Sequence, residues 1–265
     1  MNLRSKLKLP REHGAWAMLY VPYLLGVVVA RRFSLPAIFM LLATTALFIS
    51  RESLLVWMRA RHRGRKATDA GKILLFYLLV AAFCGLPLIL IWRLYWLIPL
   101  AACGVVLLII NGGQAAQFEE RSIAGELLAI CGLTLTAPAG YYAAGGLWDK
   151  TAVWLWLLCI LYFASSVFYI KLRVYHLNSH KQAEQWRMRQ SCAIYHSFLL
   201  IALLALYAGG SLPLFSLIAF TPILMRTFWR LSRPTTRINL KRAGILEIFY
   251  AVVFLIFISL SFRAA

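Results

Sequence analysis

Charge is scarce in this chain. Only 14% of its 265 residues are charged, where a soluble domain usually carries about 25%. Acids are scarcer still. Nine Asp and Glu face 28 Lys and Arg, and the aspartates are Asp69 and Asp149 alone. Cysteine is sparse and unpatterned: Cys84, Cys103, Cys131, Cys159 and Cys192 form no CxxC pair, so neither a disulfide framework nor a thiolate metal site is expected. As small apolar residues they suit packing. No low-complexity stretch or linker interrupts residues 1–265, which are expected to form one transmembrane helical domain. The pair Gly112–Gly113 lacks the spacing of a phosphate-cradling loop. His176 and His180 stand one helical turn apart with no third ligand nearby, so no metal or cofactor is expected.

What the chain has in quantity is apolar sequence, 62% of its residues. Three runs, 73–91, 94–113 and 151–170, contain no charge at all. A hydrocarbon core about 30 Å thick needs about 20 apolar residues per helix, so these runs exclude a soluble globular fold. Six further spans read as 12–30, 34–58, 122–147, 191–209, 211–229 and 243–262. The expected fold is therefore an all-α polytopic membrane protein with about nine transmembrane helices. The first span, bent at Pro22 and closed by no small-residue cleavage site, is expected to remain as a structural helix.

The net charge of +19 is distributed by side. Of the 28 basic residues, 22 fall before the first span or in alternate gaps after it, 5 fall on the opposite side, and Arg51 lies inside a span. Lys and Arg accumulate in short cytoplasmic loops, so the N-terminus is expected in the cytoplasm. Basic residues divided among membrane-edge loops make no nucleic-acid footprint. Two cytoplasmic connections read as longer loops, 59–72 and 171–190. The second mixes Leu172, Tyr175, Trp186 and Met188 with cations, as a segment resting in the headgroup layer or capping a cavity would. Trp92, Tyr95, Trp96 and Trp148 mark span ends.

Four acids fall within or at the edge of a span: Glu12, Glu52, Glu126 and Glu247. Such groups are costly in lipid and usually face a bundle interior or a wet cavity, paired with cations. The assigned orientation puts all four in the cytoplasmic third, level with Arg51, Lys171, Arg173, Arg226 and Arg230 and with His13 and His196. Either the charges tie helices together as ion pairs, or they wall one polar cavity open to the cytoplasm. In the second case Glu12, His13, Glu52, Glu126 and Glu247 are the candidate general acids and bases. Arg51, Lys171, Arg173, Arg226 and Arg230 are then the candidate ligands for an anionic substrate, since Arg and Lys hold phosphate by charge-assisted hydrogen bonds.

The string Pro10–Arg11–Glu12–His13–Gly14–Ala15–Trp16–Ala17–Met18 resembles the opening of the YwiC-like family of bacterial membrane proteins. So do Arg121–Ser122–Ile123–Ala124–Gly125–Glu126, Thr136–Ala137–Pro138–Ala139–Gly140, and the ending around Arg226, Gly244 and Glu247. The resemblance spans nearly the whole chain and implies a multi-pass protein of the bacterial inner membrane; it implies no particular reaction. The expected topology is also similar to the UbiA prenyltransferase superfamily, whose aspartate-rich motifs follow helices two and six and hold magnesium against a prenyl diphosphate. The matching places here read Ser50–Arg51–Glu52–Ser53–Leu54–Leu55 and Tyr169–Ile170–Lys171–Leu172–Arg173, without an Asp. Magnesium wants hard oxygen ligands, so a magnesium-dependent prenyl transfer is not expected. The expectation that follows is a UbiA-like cavity binding a membrane lipid, an isoprenoid or phospholipid headgroup. A small proton-coupled transporter and an accessory membrane protein without catalysis are the alternatives.

Overall fold

A computed structural model describes residues 13–62, 68–116, 122–178, 182–233 and 240–264. Every element in them is a helix: α1 (His13–Ala30), α2 (Leu35–His62), α3 (Thr68–Leu90), α4 (Leu97–Ala116), α5 (Ile123–Thr134), α6 (Thr136–Ala143), α7 (Lys150–Asn178), α8 (Gln182–Ala208), α9 (Leu214–Leu231) and α10 (Leu240–Ala264). Among the described residues seven helical segments are long and apolar enough to cross a membrane. Gly14–Ala30 and Leu97–Ile110 are shorter apolar helices. The protein is thus an all-helical, multi-pass membrane protein.

The structure departs from the spans and loops read in the sequence. The described parts of both connections read as loops are helical: in 171–190 α7 runs on to Asn178 and α8 begins at Gln182, and in 59–72 α2 runs to His62 and α3 begins at Thr68. Hydropathy marks where lipid ends, whereas backbone hydrogen bonding carries a helix past that level. Lys171, Leu172 and Arg173 are consequently buried residues on a helix. The fifth span is two helices, interrupted at Leu135. Pro138 explains the interruption. It has no N–H to offer the carbonyl four residues earlier, which belongs to Thr134, the last residue of α5. In α6 it occupies the first turn, where a missing N–H is tolerated.

The contacts divide the chain into two compact units, Met1–Trp156 and Leu157–Ala265, with the boundary inside α7. In the first unit α2 packs along α3 and α1 along α6. The α1–α6 approach is close because two glycines permit it. A Cβ on Gly26 would collide with the Ala137 carbonyl oxygen and lie 2.7 Å from the Tyr141 amide nitrogen; one on Gly140 would lie 2.9 Å from the Tyr23 carbonyl oxygen. Thr136 Oγ1 donates to the Leu19 carbonyl at 2.9 Å and Tyr23 Oη to the Ala37 carbonyl at 2.5 Å. Small residues at crossings and hydroxyl-to-backbone bonds are how membrane helices associate without a hydrophobic driving force between them. Both aspartates serve helix starts. Asp69 sits in the first turn of α3, and Asp149 Oδ1 accepts from the Thr151 amide at 2.8 Å at the head of α7.

The second unit is built from α7, α8, α9 and α10. Its centre is aromatic: Tyr162 stacks on Phe254 at 4.2 Å between centroids, and Phe220 meets Phe254 edge-on at 5.4 Å. A buried histidine joins three of the helices. His196 on α8 is fully buried. Its Nδ1 lies 2.8 Å from the Cys192 carbonyl, and its Nε2 lies 2.8 Å from Ser165 Oγ on α7 and 3.2 Å from Thr227 Oγ1 on α9. Thr227 donates to the Ile223 carbonyl, so the proton reaching Nε2 comes from Ser165, while Nδ1–H donates to Cys192. That is a neutral, satisfied imidazole. Replacing His196 with Phe leaves the Ser165 hydroxyl buried without an acceptor, which costs about 1–3 kcal/mol. The expected result is a lower unfolding temperature for the purified protein.

Candidate functional site

The second unit gathers four of the ionisable residues singled out in the sequence. Arg173 on α7 and Arg226 and Arg230 on α9 line one open cleft of about 550 Å³, together with Tyr169, Tyr250, Trp229, Met225, Pro222 and Thr221. Glu247 on α10 is ion-paired with Arg226 through Oε1 and Nη1. Its other oxygen accepts from Ser166 Oγ on α7 at 2.7 Å. Among the described residues the lining contains no carboxylate.

Helical spacing makes this arrangement possible. Tyr169 and Arg173 are i and i+4 on α7, Arg226 and Arg230 are i and i+4 on α9, and Glu247 and Tyr250 are i and i+3 on α10, so each pair shares a face. The Arg226 guanidinium lies over the Tyr169 ring at 3.8 Å and within 5.3 Å of the Tyr250 ring. Arg173 approaches the Tyr169 ring at 5.9 Å. Cations over aromatic faces gain electrostatic attraction that grows as water is excluded.

Tyr162 Oη and Ser259 Oγ are buried without a hydrogen-bond partner among the described residues, and so are donors of the cleft arginines. Arg173 is 4% exposed and the Arg226 side chain 9%. Among the described residues, Arg173 Nη1 and Arg226 Nε and Nη2 are buried donors with no hydrogen-bond partner. Buried donors are ordinarily paired, and an unpaired one belonging to a charged group is especially costly. Guanidinium groups hold anions by charge-assisted hydrogen bonds, and the described lining offers no carboxylate of the kind magnesium takes.

The other predicted site residues lie elsewhere in the chain. Lys171 is buried on α7 outside the cleft lining. Arg51 and Glu52 belong to the first unit, where neighbouring side chains pair at 3.3 Å with 25% and 33% exposure. Glu126, also in the first unit, sits in the first turn of α5 behind the Ser122 N-cap, whose Oγ accepts from the Gly125 amide at 3.0 Å. A negative charge there suits the helix dipole. Glu12 and the side chain of His13 lie outside the described residues, as do Arg121 and the side chains of His176 and His180. The aromatic walls Tyr169, Trp229 and Tyr250 were not read from the sequence. The available signal was their spacing of three or four residues from Arg173, Arg226 and Glu247.

Fold and cleft together define an all-helical membrane protein with an arginine-lined, aromatic-walled pocket. The profile of the family described as YwiC-like protein matches residues 9–141, and the chain belongs to that family. The uncharacterized protein YwiC of Bacillus subtilis (strain 168) is 27% identical over 256 residues, covering 94% of this chain and 96% of that protein. No solved structure matches.

Proposed function

We propose that this protein binds an anionic lipid headgroup, with Arg173, Arg226 and Arg230 as its ligands. The observation that carries this reading is that Arg173 Nη1 and Arg226 Nε and Nη2 are buried without a hydrogen-bond partner among the described residues, on two arginines of a cleft whose described lining holds no acid. A phosphate brings the oxygen acceptors those donors require. The apolar members of the lining, Pro222, Met225 and Trp229, suit the first methylenes of a lipid chain. The distribution of Lys and Arg supports a cleft open to the cytoplasm in a chain crossing the bacterial inner membrane nine times. In a UbiA-like bundle Arg173 would then stand at the second of the two places where the superfamily carries magnesium carboxylates.

Glu247 acts here as a positioning residue. It fixes one end of the Arg226 guanidinium and is itself held by Ser166.

Lipid phosphate per mole of purified protein provides the test. The wild type is expected to retain about one headgroup through detergent exchange, and Arg173→Ala with Arg230→Ala to lose most of it. Equal phosphate in the folded variant and the wild type would overturn the assignment.

A further inference from the structure

Both members of the buried ion pair are held from one turn of α7. We infer that Tyr169 is a positioning residue, whose ring face fixes the plane of the Arg226 guanidinium for an anionic ligand. This rests on the anion-binding reading above and deepens it.

Glu247 on α10 engages Arg226 on α9 through Nη1. The other two guanidinium nitrogens have no hydrogen-bond partner among the described residues. A contact at one nitrogen fixes that nitrogen and leaves the plane free to swing about it. A long side chain keeps many rotamers unless packing removes them. The Tyr169 ring supplies that packing. Arg226 Cζ lies 3.8 Å from its centroid, against 5.3 Å from the centroid of Tyr250. A guanidinium over a ring face gains electrostatic attraction that grows with desolvation, and the Arg226 side chain is 9% exposed.

Spacing on α7 makes the hold a joint one. Ser166 and Tyr169 are i and i+3, so they share a face. Ser166 Oγ donates to Glu247 at 2.7 Å, while Tyr169 meets Arg226. One turn of α7 thus grips the carboxylate with a hydroxyl and the guanidinium with a ring. Because the hold on Arg226 is made by the ring face, Tyr169→Phe retains it and Tyr169→Leu loses it.

The consequence is one of affinity. A ligand that meets an arginine already held in place does not have to order it. Ordering one rotamer-rich side chain corresponds to about two- to tenfold in affinity.

The experiment uses the full-length protein in detergent. Phosphatidic acid is titrated by native mass spectrometry. The order of the Arg226 Nε–H bond is measured by nitrogen NMR relaxation on arginine-labelled protein, the signal being assigned with Arg226→Lys. Tyr169→Leu is expected to bind phosphatidic acid about two- to tenfold more weakly, with an Nε–H order parameter below about 0.6. Tyr169→Phe is expected to match the wild type in both. Tyr169→Met is a second variant without a ring, and thermal unfolding checks that each variant is folded. A merely structural Tyr169 would lower the unfolding temperature and leave Arg226 ordered. An ordered Arg226 in the folded Leu and Met variants would overturn the positioning role, whatever the lipid result. Loss of order in Tyr169→Phe would overturn the ring face as its cause. Unchanged affinity in a variant that has lost the order would overturn the role toward a ligand while leaving the anion-binding reading standing. Absence of phosphatidic acid binding by the wild type would overturn that reading and the ligand role with it.

Discussion

Glu247→Leu is expected to lower the stability of the protein by about 3–5 kcal/mol, while Glu52→Leu lowers it by about 0–1 kcal/mol. The two acids look alike in the sequence, each a lone carboxylate in an apolar span. Their surroundings differ. Glu247 is 14% exposed, paired with an Arg226 side chain that is 9% exposed, and receives a hydrogen bond from Ser166. Glu52 pairs with its own neighbour Arg51, and their side chains are 33% and 25% exposed. Removing one partner from a buried pair leaves an uncompensated charge, whereas the partly exposed Arg51, near the end of its span, can carry its guanidinium along its own flexible stem to the membrane edge. The double variant Arg226→Met, Glu247→Leu checks the mechanism, because replacing both charges with apolar groups removes the orphan. Its unfolding temperature in detergent is expected to recover most of what Glu247→Leu loses. A double variant as unstable as the sum of the singles would contradict a buried ion pair.

The second large effect belongs to the first unit. Gly26→Ala is expected to destabilise the protein by at least the upper part of the ~1–3 kcal/mol typical of overpacking, and Gly26→Leu to prevent accumulation of folded protein. The atoms in the way are the Ala137 carbonyl oxygen and the Tyr141 amide nitrogen. Both are backbone, so relief requires α1 and α6 to separate. Separation strains the Thr136–Leu19 bond that links them. Gly85, on α3, is the control: an added Cβ there meets nothing within 4 Å, and Gly85→Ala is expected to be neutral or stabilising by up to about 1 kcal/mol. Retention of monomeric, cooperatively melting protein by size-exclusion chromatography and thermal unfolding separates the two outcomes.

The helical membrane scaffold was legible because lipid imposes a requirement that composition reveals. Uninterrupted apolar runs such as 73–91 and 151–170 have few other uses. Helix ends were not legible to the same degree. The cations of 171–190 marked the edge of the hydrocarbon, and α7 and α8 continue through most of that stretch. The break at Leu135 carried a visible signal, Pro138, whose consequence falls four residues upstream at Thr134. Close approach at Gly26 had no local signature. It depends on Ala137 and Tyr141, which only the folded chain brings alongside.

The candidate site divides in the same way. Glu247 stood out because a charge in an apolar span demands a reason, and Arg173, Arg226 and Arg230 because they fall level with it as cations that could pair with such an acid. Tyr169, Trp229 and Tyr250 did not, since aromatics are common in membrane proteins and their contribution here is a face presented to a particular guanidinium. Nor could the sequence pair Arg226 with Glu247, or leave Arg226 Nε and Nη2 over for a ligand. Those facts require the crossing of α9 with α10 and of α7 with both.

Photolabelling tests the central claim most directly. A phosphatidic acid analogue with a diazirine beside the phosphate would be reacted with the protein in lipid bilayers, and the adducts mapped by peptide mass spectrometry. The cleft predicts adducts concentrated in segments 169–173, 221–230 and 247–250, suppressed by unlabelled phosphatidic acid and absent from Arg173→Ala with Arg226→Met. Adducts confined to the exposed apolar faces of α3 and α4, at residues such as Phe83 and Ile109, and insensitive to competitor, would contradict an arginine-lined headgroup site.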